Sequence, residues 1–140
     1  MATFNKFDQF VEDKNHGVHD LATDALTVFL CAAANAPVAA NSVLADLTVI
    51  SYSNLSTRVI GTPTSSAQTS GVYKLVLPDL VLTASGTVAT FRYVGIYNDT
   101  TVTPTDALIG WWDYGSNLTL TNLETLTLDF SAANGVIQDT

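Results

Sequence analysis

The hydrophobic periodicity of this chain changes near Asp24, and that change constrains the fold more than any other feature of the sequence. Before it, apolar residues recur at steps of three, four and seven positions with acidic residues between them, namely Phe4, Phe7, Val11, Val18 and Leu21. This spacing is typical of an amphipathic helix. Because Gly17 weakens a helix interior, we expect the helix to be bent or broken near that residue.

After Asp24, apolar and polar residues alternate, and residues that favour strands dominate. The alternation predicts strands at 26–32, 45–52, 71–77, 87–97, 108–114, 116–120, 126–130 and 135–137, separated by turn-rich breaks. In the run LTLTNLETLTLDF, residues 118–130, two consecutive strands can lay their leucines on one face. The sequence therefore predicts one mainly β domain over residues 1–140. It consists of an N-terminal α-helical segment, 1–23, and a β-sandwich or small β-barrel, 24–140.

Charge excludes two classes of partner. The formal net charge is −8, and five lysines and arginines are scattered along the chain, so neither nucleic acid nor an anionic membrane is an expected ligand. No run approaches the roughly twenty apolar residues that span a bilayer, and the N-terminal sequence lacks the apolar segment of a secretion signal. We expect synthesis in a cytoplasm. Only 13% of residues are charged, which suits packing against copies of the chain or against a scaffold.

Two features of the first 31 residues could carry metal or thiol chemistry. Glu12, His16 and His19 could project from one side of the predicted helix, and such residues can bind zinc. Their spacing is not that of zinc enzymes, and a solvated helix face is the favoured interpretation. Cys31 lies in an apolar run without basic neighbours, so we expect a buried, unreactive thiol.

Elsewhere the sequence offers little that could support catalysis. Asp99, Asp106 and Asp113 could supply oxygen ligands to calcium, but they lack the pattern of an EF-hand loop, and a polar turn is favoured. No nucleophile motif or phosphate-binding glycine motif occurs. We expect no metal, no cofactor and no enzymatic activity.

Adjacent tryptophans raise the main question about binding. In a strand, Trp111 and Trp112 must point to opposite faces, and Tyr114 shares the face of Trp112. At most one of these faces is the sandwich core. The other tryptophan is either covered by the helix or a loop, or exposed as an anchor for a subunit or a sugar ring. Cover or subunit contact is favoured.

Five segments resemble a family of small structural proteins of tailed bacteriophages. They occur in order along most of the chain: MATFNKFDQFVEDKNHGVHDLATDALTVFL, SSAQTSGVYKLVL, FRYVGIYNDT, LIGWWDYGSNLTL and ETLTLDF. One departure is that Asn122-Leu123-Glu124-Thr125 stands where an Asn-Gly-Glu-Thr turn is expected. The sequence therefore does not determine the hairpin geometry at this turn.

The resemblance implies a virion protein, made in the host bacterial cytoplasm, that decorates and stabilises the outside of the mature phage head. Its implied partner is the major capsid protein, and a homo-oligomer, with a trimer favoured, is expected. Contact with the capsid or between subunits is expected at six aromatic residues: Phe4, Phe7, Phe10, Trp111, Trp112 and Tyr114. The helix that carries the phenylalanines would dock on the capsid or cover the sheet. The alternatives are a tail-fibre or head-fibre module that binds host carbohydrate, and a tail or connector protein.

Overall fold

The fold is mainly β, with one N-terminal helix and several antiparallel sheets, as the sequence predicted. The structure is a computed structural model and describes residues 2–140. The helix is α1, Asp8–Asn15. The strands are β1 (Asn5–Lys6), β2 (Leu26–Cys31), β3 (Val59–Gly61), β4 (Ser65–Thr69), β5 (Val72–Val76), β6 (Leu80–Thr83), β7 (Phe91–Val102), β8 (Thr105–Leu118), β9 (Thr125–Leu128) and β10 (Ile137–Asp139).

The helix is shorter than the predicted helical segment 1–23. It ends before Gly17, which has a φ of +75°, so the predicted break at this glycine is confirmed. Upstream of the helix, β1 pairs with β8 instead. Downstream, residues 21–23 form a turn, at which Asp20 N–H donates to the side-chain Oδ2 of Asp24 at 2.9 Å. Such side-chain bonds to the backbone compete with helix formation.

The largest sheet has five antiparallel strands in the order β1-β8-β7-β2-β3. All six residues of β2 are buried, as expected for a strand with cover on both faces. The β7–β8 hairpin is longer than predicted, because the expected loop after residue 97 is paired and only Thr103-Pro104, joined by a cis peptide bond, separates the strands. The two strands predicted at 108–114 and 116–120 are one continuous strand, in which Gly115 adopts a φ of +93°.

Two smaller sheets complete the fold, one with the order β10-β5-β4 and the other consisting of β6 and β9. Leu118 ends β8, whereas Leu126 and Leu128 belong to β9, which pairs with β6. All three leucines pack against the core, as the alternation predicted. The intervening bend is bonded to the end of β6: Leu123 N–H donates to the Ala84 carbonyl, and Ala84 N–H donates to the Glu124 carbonyl. Leu123 has a φ of +71°, the left-handed conformation that glycine would adopt at lower cost.

The prediction of a strand at 45–52 is wrong. A 3₁₀ turn, Leu44–Asp46, begins the segment, and the Asp46 carboxylate accepts hydrogen bonds from Ser42 and Val43 N–H. The rest follows the sheet without forming a strand, although Ile50 N–H donates to the Leu30 carbonyl. The alternating apolar residues thus pack against the core without ladder pairing.

One core cluster connects the three sheets. It combines Phe29 of β2 with Leu75 of β5, Leu82 of β6 and Ile137 of β10. Packing is close at Gly95, where an added Cβ would lie 2.0 Å from the Phe29 ring. Together the sheets and the helix form a β-sandwich-like fold around this core.

Candidate binding groove

The two tryptophans lie on opposite sides of β8 and have different surroundings. Trp111 packs against Phe7, with ring centroids 4.5 Å apart, at the start of the helical segment. Trp112 contacts Phe4 at 4.8 Å and Phe130 at 5.9 Å. Both indoles are half-buried. The N-terminal segment therefore covers Trp111 on one face and contributes an aromatic wall beside Trp112 on the other.

Phe4 is held in place by the pairing of β1 with β8. Asn5 pairs with Trp111 and Lys6 with Gly110, which places the Phe4 ring over Gly110. A Cβ at Gly110 would lie 2.3 Å from that ring and 2.7 Å from the Asn5 carbonyl oxygen. The absence of a side chain at this position is what permits the ring to lie against Trp112.

Beside Trp112 lies an aromatic groove of about 710 Å³. One wall is formed by Phe4, Val94, Trp112 and Tyr114. The other is formed by β9 and the segment after it; it comprises Leu126, Thr127, Leu128, Asp129, Phe130, Ser131, Ala132, Ala133, Gly135 and Val136, and Ala2 completes the lining. We call this the β9 groove. Its volume is in the range of ligand sites, and most of its lining is apolar.

Of the six residues expected at an interface, three lie together in this groove: Phe4, Trp112 and Tyr114. Tyr114 is 48% exposed. Phe7 and Phe10 are buried in the core, with 0% and 1% of their surface exposed, so the expected contact role is corrected for both. Of the two alternatives for this segment, the structure shows Phe7 and Phe10 buried as cover for the sheet, and of these only Phe10 lies within α1. Trp111 lies apart from the groove against Phe7.

The groove also contains residues that the sequence did not single out. Phe130, Leu126, Leu128 and Val136 supply much of its second wall. The alternation in LTLDF was a usable signal for the first three, but it indicated only one apolar face of a strand. That this face meets Trp112 depends on the pairing of β9 with β6, which the sequence did not predict.

A buried polar network lies elsewhere, between the turn that follows α1 and β7. Asn98, with none of its surface exposed, donates from Nδ2 to His19 Nδ1 at 3.0 Å and to Asp24 Oδ2 at 2.6 Å. Its Oδ1 accepts from Thr100 N–H, which fixes the orientation of the amide. Burial lowers the pKa of His19, against the opposing effect of the Asp13 and Asp24 carboxylates.

The candidate metal residues are not brought together. His16 lies 3.6 Å from Glu12 on the exposed helix surface, whereas His19 is buried against Phe10 and Asn98. Within residues 2–140, no group of three histidine, cysteine, aspartate or glutamate side chains is arranged to hold a metal ion. Burial raises the pKa of the Cys31 thiol to about 11, so this cysteine is un-ionised at neutral pH.

Of the three aspartates considered for calcium, Asp113 has a different partner from the other two. Asp113 forms a bidentate pair with Arg92, at 2.8 and 3.0 Å, and this hydrogen bonding lowers the pKa of Asp113. Burial, and secondarily the charge of Asp99, raises the pKa of Asp106. Asp113 therefore binds the Arg92 guanidinium, whereas the charge of Asp99 acts on Asp106.

Comparison with known proteins gives no relative. The chain matches no protein-family model, no curated protein and no solved structure. The bacteriophage resemblance therefore stays a prediction. No helix within residues 2–140 is long and apolar enough to cross a membrane.

Proposed function

We propose that this protein is a non-enzymatic structural subunit that attaches to the surface of a larger particle. In the form that the sequence resemblance implies, the particle is the mature head of a tailed bacteriophage, and the protein is a capsid decoration protein. Its partner is the major capsid protein, and copies associate as a homo-oligomer, for which a trimer is favoured.

The β9 groove is the observation that supports this proposal. Aromatic side chains contribute large contact areas and dominate the energetics of protein interfaces. Trp112 and Tyr114 lie in a groove whose other described walls carry one charged residue, Asp129, so little charge must be desolvated when a partner binds. Each copy adds a modest contact energy, and binding only to the expanded shell stabilises that state by mass action.

Co-sedimentation with phage heads tests the proposal. Expanded and unexpanded heads of the phage that encodes the protein are prepared without the protein. Each form of head is then titrated with the wild-type protein. We expect saturable binding to expanded heads at a stoichiometry that matches lattice positions. Absence of binding to expanded heads, or equal binding to unexpanded heads, would contradict the proposal.

A matched pair of substitutions locates the contact. Tyr114→Arg places a charge in the groove, and we expect roughly tenfold weaker binding because losing an interface aromatic commonly costs more than about 1 kcal/mol. Val102→Arg makes the same charge change at the exposed end of the β7–β8 hairpin and should bind as the wild type does. Equal binding by the two variants would remove the groove from the contact.

Carbohydrate binding is the second candidate, favoured by the presence of Trp112 and Tyr114 on one side of β8 with Thr127, Asp129 and Ser131 across the groove. An aromatic ring can stack on a sugar while neighbouring polar groups bind its hydroxyls. This function predicts saccharide-dependent quenching of tryptophan fluorescence that Trp112→Ala abolishes. No quenching across a panel of bacterial surface glycans would exclude it for those glycans.

A further inference from the structure

The β9 groove contains an unpaired strand edge as well as apolar walls. In the sheet of β6 and β9, β9 has β6 as its only strand partner among the described residues. Three consecutive residues of β9, Leu126, Thr127 and Leu128, also line the groove. Because alternate side chains of a strand point to opposite faces, a consecutive lining indicates that the edge of β9 is turned to the groove.

The hydrogen-bond pattern identifies which backbone groups point there. Opposed residues in an antiparallel pair alternate between bonded and non-bonded positions. Ala84 N–H donates to the Glu124 carbonyl, so the Leu82–Leu126 pair is a bonded position and the Val81–Thr127 pair is not.

The other edge of β6 provides a check of this alternation. Thr83, which the alternation places at a non-bonded position, directs its backbone away from β9. Its N–H donates to Ser56 Oγ at 2.8 Å, and its carbonyl accepts from Ser56 N–H at 3.0 Å. By the same alternation, the N–H and C=O of Thr127 point away from β6, toward the groove.

We propose that the β9 groove binds an extended segment of the partner protein, which adds to the Thr127 edge of β9 as an antiparallel or parallel strand. The proposal rests on the proposed function for the identity of the partner. An extended backbone can satisfy an edge donor and acceptor of this kind together, and alternate side chains of the added strand would pack against Trp112, Tyr114 and Phe130. The four residues of β9 offer an edge of about 13 Å.

The charge of the groove and of the chain favours a different protein, and not a second copy of this chain, as the partner that binds in the β9 groove. The groove carries the exposed Asp129, and each copy has a net charge of −8. Joining two β9 edges would bring like charges together, which is destabilising across strands. A segment with lysine or arginine near the position of Asp129 is complementary, so we assign the groove to a neutral or basic extended segment.

A synthetic peptide is the probe that tests this inference. It is short, alternates valine and threonine between terminal lysines, and carries a fluorophore so that binding is followed by anisotropy. We expect saturable binding to the wild-type protein and weaker binding of the same peptide with terminal glutamates. Absence of binding up to the solubility limit would overturn the inference.

Two proline variants on opposite edges of the same sheet provide the matched comparison. Thr127→Pro removes the outward N–H without removing a bond to β6, because proline is tolerated on the free side of an edge strand. Val81 of β6 lies opposite Thr127, and Val81→Pro removes an N–H that points to the other edge of the same sheet. We expect Thr127→Pro to weaken peptide binding by roughly tenfold or more, since a hydrogen bond and the close approach of the strand are both lost. Val81→Pro should leave it unchanged.

Equal binding by both proline variants would overturn the inference. If circular dichroism shows that Thr127→Pro is unfolded, Asp129→Lys replaces it, since this exposed residue can be exchanged without loss of burial. That variant should prefer the glutamate-ended peptide, and an unchanged preference would overturn the inference. If the wild type forms a dimer and Asp129→Lys changes its stability, the occupant of the groove is a second copy of the chain. That result would contradict the assignment.

The outcomes separate this inference from the proposed function. If expanded heads bind wild type and Thr127→Pro equally, the strand-addition site is wrong while attachment to the particle stands. If the peptide binds but heads do not, the groove is a strand-binding site and the decoration function is wrong.

Discussion

At the scale of single residues, the adjacent tryptophans have separate roles. Trp111 packs on Phe7, which is completely buried, and so belongs to the packing that attaches the helical segment to the sheet. Trp112 lies between Phe4 and Phe130 at the groove. The strand period predicted their opposite directions, but the identity of the covering residues follows from tertiary packing.

His19 is the residue whose protonation should affect stability most directly. Its Nδ1 accepts from the Asn98 amide, which places the proton of the neutral ring on Nε2. Within residues 2–140, His19 Nε2 and Asp13 Oδ2 are buried without a hydrogen-bond partner. Protonation of Nδ1 would put two donors against each other and a charge into a buried site, although the Asp13 and Asp24 carboxylates offset part of that cost.

The lowered pKa of His19 predicts a loss of stability on mild acidification. Between the folded-state pKa and the ordinary value of 6.5, the unfolded chain binds a proton that the folded chain does not. The free energy of unfolding therefore rises with pH through this window and falls as the pH drops below about 6.5. Denaturant unfolding at about pH 5.5 and 7.5 measures the change in the free energy of unfolding. Both pH values lie above the range in which ordinary carboxylates titrate.

His19→Gln is the control for this titration, because glutamine can accept from Asn98 and does not ionise. We expect it to lose most of the pH dependence in this window. A wild-type protein that is equally or more stable at the lower pH would show that the carboxylates outweigh burial.

At the scale of elements, the sequence predicted strands well where the alternating side chains belong to the core. β2, β5 and β9 lie within predicted segments or extend one residue beyond them. The strands β3, β4 and β6 were missed: SSAQT in β4 is polar, while β3 and β6 are only three and four residues long. At 45–52 the alternation was present, but side-chain bonds to Asp46 favoured a 3₁₀ turn. Local pattern therefore located apolar faces more reliably than it assigned strand pairing.

The bend before β9 carries a conformational cost that a single substitution should remove. Leu123 is 79% exposed and has a φ of +71°, so its side chain contributes little burial while its backbone is in a region unfavourable to residues with a Cβ. We expect Leu123→Gly to raise the free energy of unfolding by about 0.5–1 kcal/mol. Chemical denaturation measures the change.

The neighbouring Asn122→Gly is the control for that substitution, because Asn122 is not among the residues with positive φ. It should be neutral or destabilising, since glycine adds conformational freedom to the unfolded chain. Destabilisation by Leu123→Gly as large as that by Asn122→Gly would show that the left-handed backbone at Leu123 costs little.

At the scale of the whole molecule, the candidate site is built from parts that are distant in sequence. Phe4, Trp112 and Phe130 meet because β1 pairs with β8 and β9 pairs with β6. The sequence supplied the mainly β class, the N-terminal helix and three of the groove residues. It could not supply the groove itself, because neither of these pairings leaves a signal in local hydrophobic periodicity.

We propose that Trp112, and not Trp111, lies at the surface that binds a partner. The most direct measurement is the fluorescence emission of two single-tryptophan proteins, Trp111→Phe and Trp112→Phe, before and after addition of saturating expanded heads. We predict a shift in emission for Trp111→Phe, which retains Trp112, and little change for Trp112→Phe in any copies that still bind. A shift confined to the protein that retains Trp111, or no shift in either while both bind, would contradict the claim.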